Sequence, residues 1–414
     1  MLREDLSHAA ETSVDNRQLA DFPNGLGRKL ARTIRWLPGY AWQRFTRRSI
    51  LAEGVHLIIA VADHFEPAIL PHTNGGRAPR EDQERRLERW CRDYPNAVRD
   101  WPDSDGRTFC HTYFYPAEQY DRGLMDRLAE HCRDGWGEIE IQLHHGTWTP
   151  DTPANTRRQL VEFRDALAGH GCLSNEEGQA APRYAFVHGN STLANSCGGI
   201  GCGVDDELQI LAETGCYADF TLPSAPHPAQ VAKINSLYEC TLPLECRAPH
   251  RRGRALQRGH PPHVFPLIVQ GPLLLDVARR KRGLPFPRIE NGVLTAMNPP
   301  TLRRLSLWRK AAITVRSRPD WLFIKLSCHG MDPRDEETML GASLQNFLRE
   351  LREDVLSHRR DRVHFVTARE MVNIILAACD GREGNPRDYR DYRLKAIRSS
   401  MLTSLPVSQQ RAAS

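Results

Sequence analysis

Five short polar clusters each follow an apolar run and carry groups able to bind metals or move protons. They are Asp63-His64-Phe65-Glu66-Pro67, His144-His145-Gly146-Thr147-Trp148, His188-Gly189-Asn190, Asp219 with Pro223-Ser224 behind it, and Lys325-Leu326-Ser327-Cys328-His329-Gly330. Neutral imidazole and carboxylate oxygen are the usual ligands of catalytic zinc, which keeps one position open for water. Water held there is a nucleophile near neutral pH, a neighbouring carboxylate can take its proton, and a histidine across the site can protonate the leaving group. The chain has 17 histidines, so one or two could fall at such places by chance. Their concentration at so many of them points to a divalent-metal site, with zinc the expected ion. Neighbours on a strand face opposite sides, so His144 and His145 can share a site only if the strand ends between them, and Gly146 supplies such an ending.

The apolar runs are the elements that must position these groups. Val55–Ala62 is short, continuous and rich in β-branched residues, as in a strand buried on both faces of a parallel sheet. Similar runs occur at Phe109–Tyr115, Ile139–His145, Tyr184–His188, Ala218–Leu222, His263–Ile268, Trp321–Leu326 and Val363–Val366. Helical patterns at Glu81–Cys91, Thr156–Leu167, Asp205–Thr214, Ala342–Leu356 and Ala368–Ala378 lie among and after them. The expectation is an α/β fold, a (β/α) barrel of seven or eight parallel strands, with the site at the C-terminal ends of the strands. Residues 51–380 form this unit, residues 1–50 a basic aromatic arm, and residues 381–414 a covering segment and tail.

With those motifs in place, the layout resembles the polysaccharide deacetylase (NodB-homology, carbohydrate esterase family 4) superfamily, in particular a divergent branch with DHFEP and HH motifs, over most of residues 51–375. The resemblance implies a distorted (β/α) barrel and metal-assisted removal of an N- or O-acyl group from a carbohydrate. It makes Asp63 the base, His64 a metal ligand and His329, three residues after Leu326, the general acid. His144 matches the first metal histidine of the second motif. Trp148 occupies the place of the second, so His145 would substitute. The superfamily's Arg-Pro-Pro-Tyr element is not visible, and His188, Asn190 and Asp219 are the candidates for gripping substrate, together with Glu66. Phe65 and Trp148 could stack on sugar rings.

Two other functions fit parts of the sequence. A glycoside hydrolase on the same barrel would draw its two carboxylates from Asp63, Glu66, Glu140 and Asp219. A non-catalytic protein binding glycans or anions on a degenerate barrel would explain Trp148. The net charge of +5 over 414 residues conceals +12 in residues 247–310, +7 in residues 27–48 and −14 in the rest. The first of these suits an anionic glycan. The second mixes cations with aromatics, as in peripheral contact with a membrane surface. No motif for specific nucleic-acid recognition is present. Eleven cysteines without paired CxxC knuckles read as reduced thiols, and no apolar run approaches a transmembrane length. The expected location is the cytoplasm, with the basic arm able to touch the inner membrane surface.

Overall fold

The β-branched and aromatic runs pair into one ten-stranded sheet, mainly parallel, in a mixed α/β computed structural model that describes residues 35–47, 54–70, 76–278, 280–281, 284–285, 287–356 and 361–397. Its strands are β1 (His56–His64), β2 (His111–Pro116), β3 (Gly137–Leu143), β4 (Tyr184–His188), β5 (Cys216–Asp219), β6 (Leu237–Cys240), β7 (Gly253–Ala255), β8 (Leu267–Val269), β9 (Trp321–Cys328) and β10 (Arg362–Phe365). The spatial order is β9-β1-β2-β3-β4-β5-β8-β6-β7, and β10 lies beside the first half of β1. Every strand expected from the sequence is present. The hairpin β6–β7 is an addition, running antiparallel beside β8. Its four- and three-residue strands are too short to register as apolar runs. The run from His263 becomes a strand only at Leu267, after Pro266, which has no N–H for a ladder.

Helices α1 (Leu37–Thr46), α2 (Arg80–Val98), α3 (Arg122–His131), α4 (Pro153–Gly169), α5 (Glu207–Glu213), α6 (Leu302–Ala311), α7 (Glu336–Leu340), α8 (Ala342–Glu350) and α9 (Ala368–Cys379) complete the frame. Strand alternation sorts side chains between two cores. Leu57, Ile59 and Val61 of β1 pack with Leu87 and Trp90 of α2, Leu128 of α3, Leu160 of α4 and Leu208 of α5. Ile58, Ala60 and Ala62 face the other way, into a core with Met371, Ile374 and Ile375 of α9. All twelve residues of α9 are buried, as a helix apolar around most of its circumference requires. Thr367 and Glu370 close its start with a capping box.

The described part of the C-terminal segment covers this frame. Leu394–Ala396 pairs antiparallel with Ser174–Glu176, and Asn373 of α9 bonds the backbone of Arg390, Arg393 and Leu394. At the other end Trp36 is buried and Gln43 Nε2 donates to the Ile234 carbonyl at 2.8 Å, while Trp42 and Phe45 are exposed. Residues 1–34, 48–50 and 398–414, including most of the basic arm, lie outside the described residues. No described helix is long and apolar enough to cross a membrane. Within the basic 247–310 segment, Arg254, Arg258 and Arg309 pair with Glu239, Glu383 and Asp361, so part of that charge is used inside the fold.

Candidate functional site

The alternation that sorts the cores also divides the polar clusters. His64 continues the α9-facing series of β1. His144 and His329 follow the same parity beyond β3 and β9. The rings of His64 and His329 lie 4.8 Å apart between centroids. His64, Glu66 and His329 place donor atoms within 4.8 Å of one another. His144 joins them through Glu66, whose Oε1 is 3.6 Å from His144 Nε2 and accepts a hydrogen bond from Gln142 Nε2 at 2.6 Å. The other ring nitrogen of His144 bonds Glu118 Oε1 at 2.7 Å, and Gly189 leaves room for the ring, since a Cβ there would come within 2.3 Å of it.

The four residues are neither sealed nor bare: His144 is 16% exposed and Glu66 12% at the side chain. Burial, then the neighbouring His329, His144 and Lys325, pushes His64 well below its ordinary pKa, so its ring is a neutral base. Its Nδ1 is buried without a hydrogen-bond partner. Burial opposes charge on His144 as well, but Glu118 and Glu66 outweigh it and raise the ring to about 9. Lys325 sits on the same face, its ammonium donating to the Phe220 carbonyl at 2.7 Å, and burial lowers it to about 7.

His145 takes the other face, despite following β3 by only two residues. Its Nε2 meets Glu207 Oε1 at 2.8 Å and its Nδ1 meets Asp151 Oδ2 at 3.1 Å. His188, Cys202 and Glu207 complete a buried group whose ligand atoms all lie within 4.8 Å of one another and which could bind a metal ion. The set of His64, His144 and His145 expected from the sequence is therefore not assembled. The end of a strand did not release His145 from the alternation, because Gly146 adopts φ +60° against the Cys202 carbonyl and carries the chain towards the loop on that face.

Asp63 is likewise on the helix-covered face, fully buried. Its Oδ1 accepts from Gly330 N at 2.7 Å and its Oδ2 bonds His111 Nδ1 at 2.9 Å. This corrects its reading as the base: the carboxylate beside the imidazoles is Glu66, and Asp63 anchors the backbone that follows His329. Phe65 is core, packed against Trp90 and Tyr113, so it offers no face to a sugar. Trp148 is 41% exposed and remains free to do so. His188 belongs to the buried group, and Asn190 spends its amide on the His145 and Gly201 carbonyls and the Thr147 hydroxyl at 3.1–3.2 Å. Asp219 is buried and held by Thr221, and burial raises it to about 7.

Glu140, a carboxylate of the glycosidase reading, is buried and accepts from Ala185 N at 2.6 Å and from the Tyr217 hydroxyl. Burial raises its pKa to about 8 from an ordinary 4.5. Between those values the folded chain keeps a proton that the unfolded chain has lost, so stability falls as pH rises. Glu140→Gln cannot titrate and should flatten this slope, gaining on the order of 4 kcal/mol on the wild type between pH 5 and pH 8. Urea unfolding at the two pH values measures it, and an unchanged slope would contradict the assignment.

Sequence reading missed Glu118, His111 and Glu207, whose partners His144, Asp63 and His145 lie 26 to 62 positions away along the chain, and the role of Cys202 beside Glu207. Glu207 opens α5 beside Asp206, a place where an acidic residue is ordinarily explained by the helix dipole. Comparison with known proteins finds no matching protein family, curated protein or solved structure.

Proposed function

We propose that this chain is a metal-dependent hydrolase that removes an acyl group, acetyl foremost, from a carbohydrate, on a distorted (β/α) barrel of the polysaccharide deacetylase type. The observation that carries the reading is the convergence of His64, Glu66, His144 and His329 at the C-terminal ends of β1, β3 and β9. Closure towards a barrel is supported by residues 292–294, which bond in parallel along β9 and so extend the sheet past that strand.

The donor set fits a divalent metal. Two imidazoles and a carboxylate form a known catalytic zinc set, and the buried Nδ1 of His64 lacks any other partner. His64 and Glu66 would hold the ion, and His144, whose Nε2 is 3.6 Å from Glu66 Oε1, would give up its proton to join them. His144 is chosen over His329 because Glu118 braces its far nitrogen, the outer-shell pattern of metal-ligating histidines. When bound, the ion supplies Lewis acidity towards an acyl oxygen and lowers the pKa of water. His329 is the proton carrier: hydrolysis takes one proton from water and delivers one to the departing amine or alcohol, and one imidazole can do both. The Asp63 carboxylate fixes this residue through Gly330 N. The exposed ring of Trp148 offers an apolar face to a sugar. The glycosidase reading is weaker, because Asp63 and Glu140 have their oxygens engaged away from the imidazoles.

Acetate release from a panel of N- and O-acetylated oligosaccharides tests the proposal. His329→Ala should keep its full metal content while kcat falls by roughly 10²–10⁴-fold. Loss of metal from that variant would contradict the division of roles.

A further inference from the structure

We infer that His145, His188, Cys202 and Glu207 form a second metal site, closed and structural, for a divalent transition metal of the zinc type. The four ligand atoms lie within 4.8 Å of one another and come from separate places in the chain: the loop after β3, the end of β4, the loop over residues 189–206, and the first turn of α5. An independent observation points to a missing partner. His188 is 0% exposed, neither ring nitrogen makes a hydrogen bond, and its Nε2 faces Glu207 Oε1 at 3.6 Å. A buried imidazole with both nitrogens unsatisfied is costly unless something else occupies one of them.

The surroundings are those of a ligated site. Asp151 takes the far nitrogen of His145, and is itself held by Asn155 Nδ2 at 2.7 Å and the Thr156 hydroxyl at 2.8 Å. Ala194 N donates to Glu207 Oε2 at 2.6 Å and so orients the carboxylate. Such outer bonds fix the direction of metal ligands. The donor chemistry selects the ion: thiolate with imidazole suits zinc or a similar transition metal and disfavours magnesium and calcium. Four protein ligands with no route to water define a structural rather than a catalytic site.

Charge balances as well. In the ligated state the Cys202 thiolate and the Glu207 carboxylate would bring two negative charges among neutral imidazoles. A divalent cation would cancel them, leaving the site with no net charge. The consequence lies in the loop over residues 189–206. It is irregular apart from a short 3₁₀ turn, Leu193–Asn195, and carries positive φ at Ser191, Ala194, Asn195, Gly198, Gly199, Gly201 and Gly203. The metal would pin it to the sheet beside His144, the neighbour of one of its own ligands.

Cobalt loading of the purified full chain tests this independently of the site on the α9 face. The wild type and His64→Ala should both show a thiolate-to-cobalt charge-transfer band in the near-ultraviolet, and Cys202→Ser should lose it. Absence of the band from cobalt-loaded wild type, or its persistence in Cys202→Ser, would overturn the site. Should Cys202→Ser fail to fold, mapped alkylation of wild type decides the matter. Cys202 should label at least tenfold faster after chelation than in the zinc-loaded chain, and equal rates would overturn the proposal.

Discussion

Glu207→Ala is expected to destabilise the fold by about 3–5 kcal/mol, the cost of breaking a buried charge pair by removing one partner. Glu207 is fully buried and receives His145 Nε2 at 2.8 Å and Ala194 N at 2.6 Å. Burial opposes its charge, but His188 and His145 outweigh that and hold the carboxyl down to about 2. Alanine would leave a buried imidazolium facing a cavity and a backbone N–H without an acceptor. The loss should be present in chelator-treated protein, because the ion pair exists without a metal, and larger in zinc-loaded protein. Urea unfolding of both forms measures it. A loss below about 1 kcal/mol in the treated form would show that the pair is not a structural anchor.

Asp63→Ala and Asp63→Asn should part company. Alanine removes both the acceptor of Gly330 N and the partner of His111 in a fully buried place, at about 2–4 kcal/mol, and frees the backbone behind His329. Asparagine keeps an oxygen for Gly330 N and offers an amide to His111 Nδ1. It should retain metal and keep kcat within about tenfold of wild type, since general-base loss ordinarily costs 10²–10⁴-fold. A loss of that larger size in folded, metal-loaded Asp63→Asn would return Asp63 to the role of base. Acetate-release kinetics with an unfolding curve for each variant separate these outcomes.

The strands were legible because a parallel sheet covered on both faces writes continuous apolar runs into the chain, as Leu57–Ala62 does. The positions of the polar clusters at strand ends followed from the same runs. Their faces did not. Asp63 beside His64, and His145 beside His144, look interchangeable as letters, yet the two-residue period sends them to opposite sides of one sheet. The resemblance to deacetylases grouped them by motif, and the backbone separates them. Glu118 and Glu207 were illegible for another reason: the imidazoles they meet lie far away in sequence, and no spacing announces them. Gly146, read as a stop that would let both histidines turn inward, instead makes the close approach that holds His145 outward.

The donor set on the α9 face of the sheet makes the proposed function a matter of metal content. The direct measurement is elemental analysis of folded, zinc-loaded wild type beside His64→Ala. The variant should hold one equivalent fewer, with the cobalt–thiolate band on the other face unchanged. Equal metal content in the two proteins would contradict it.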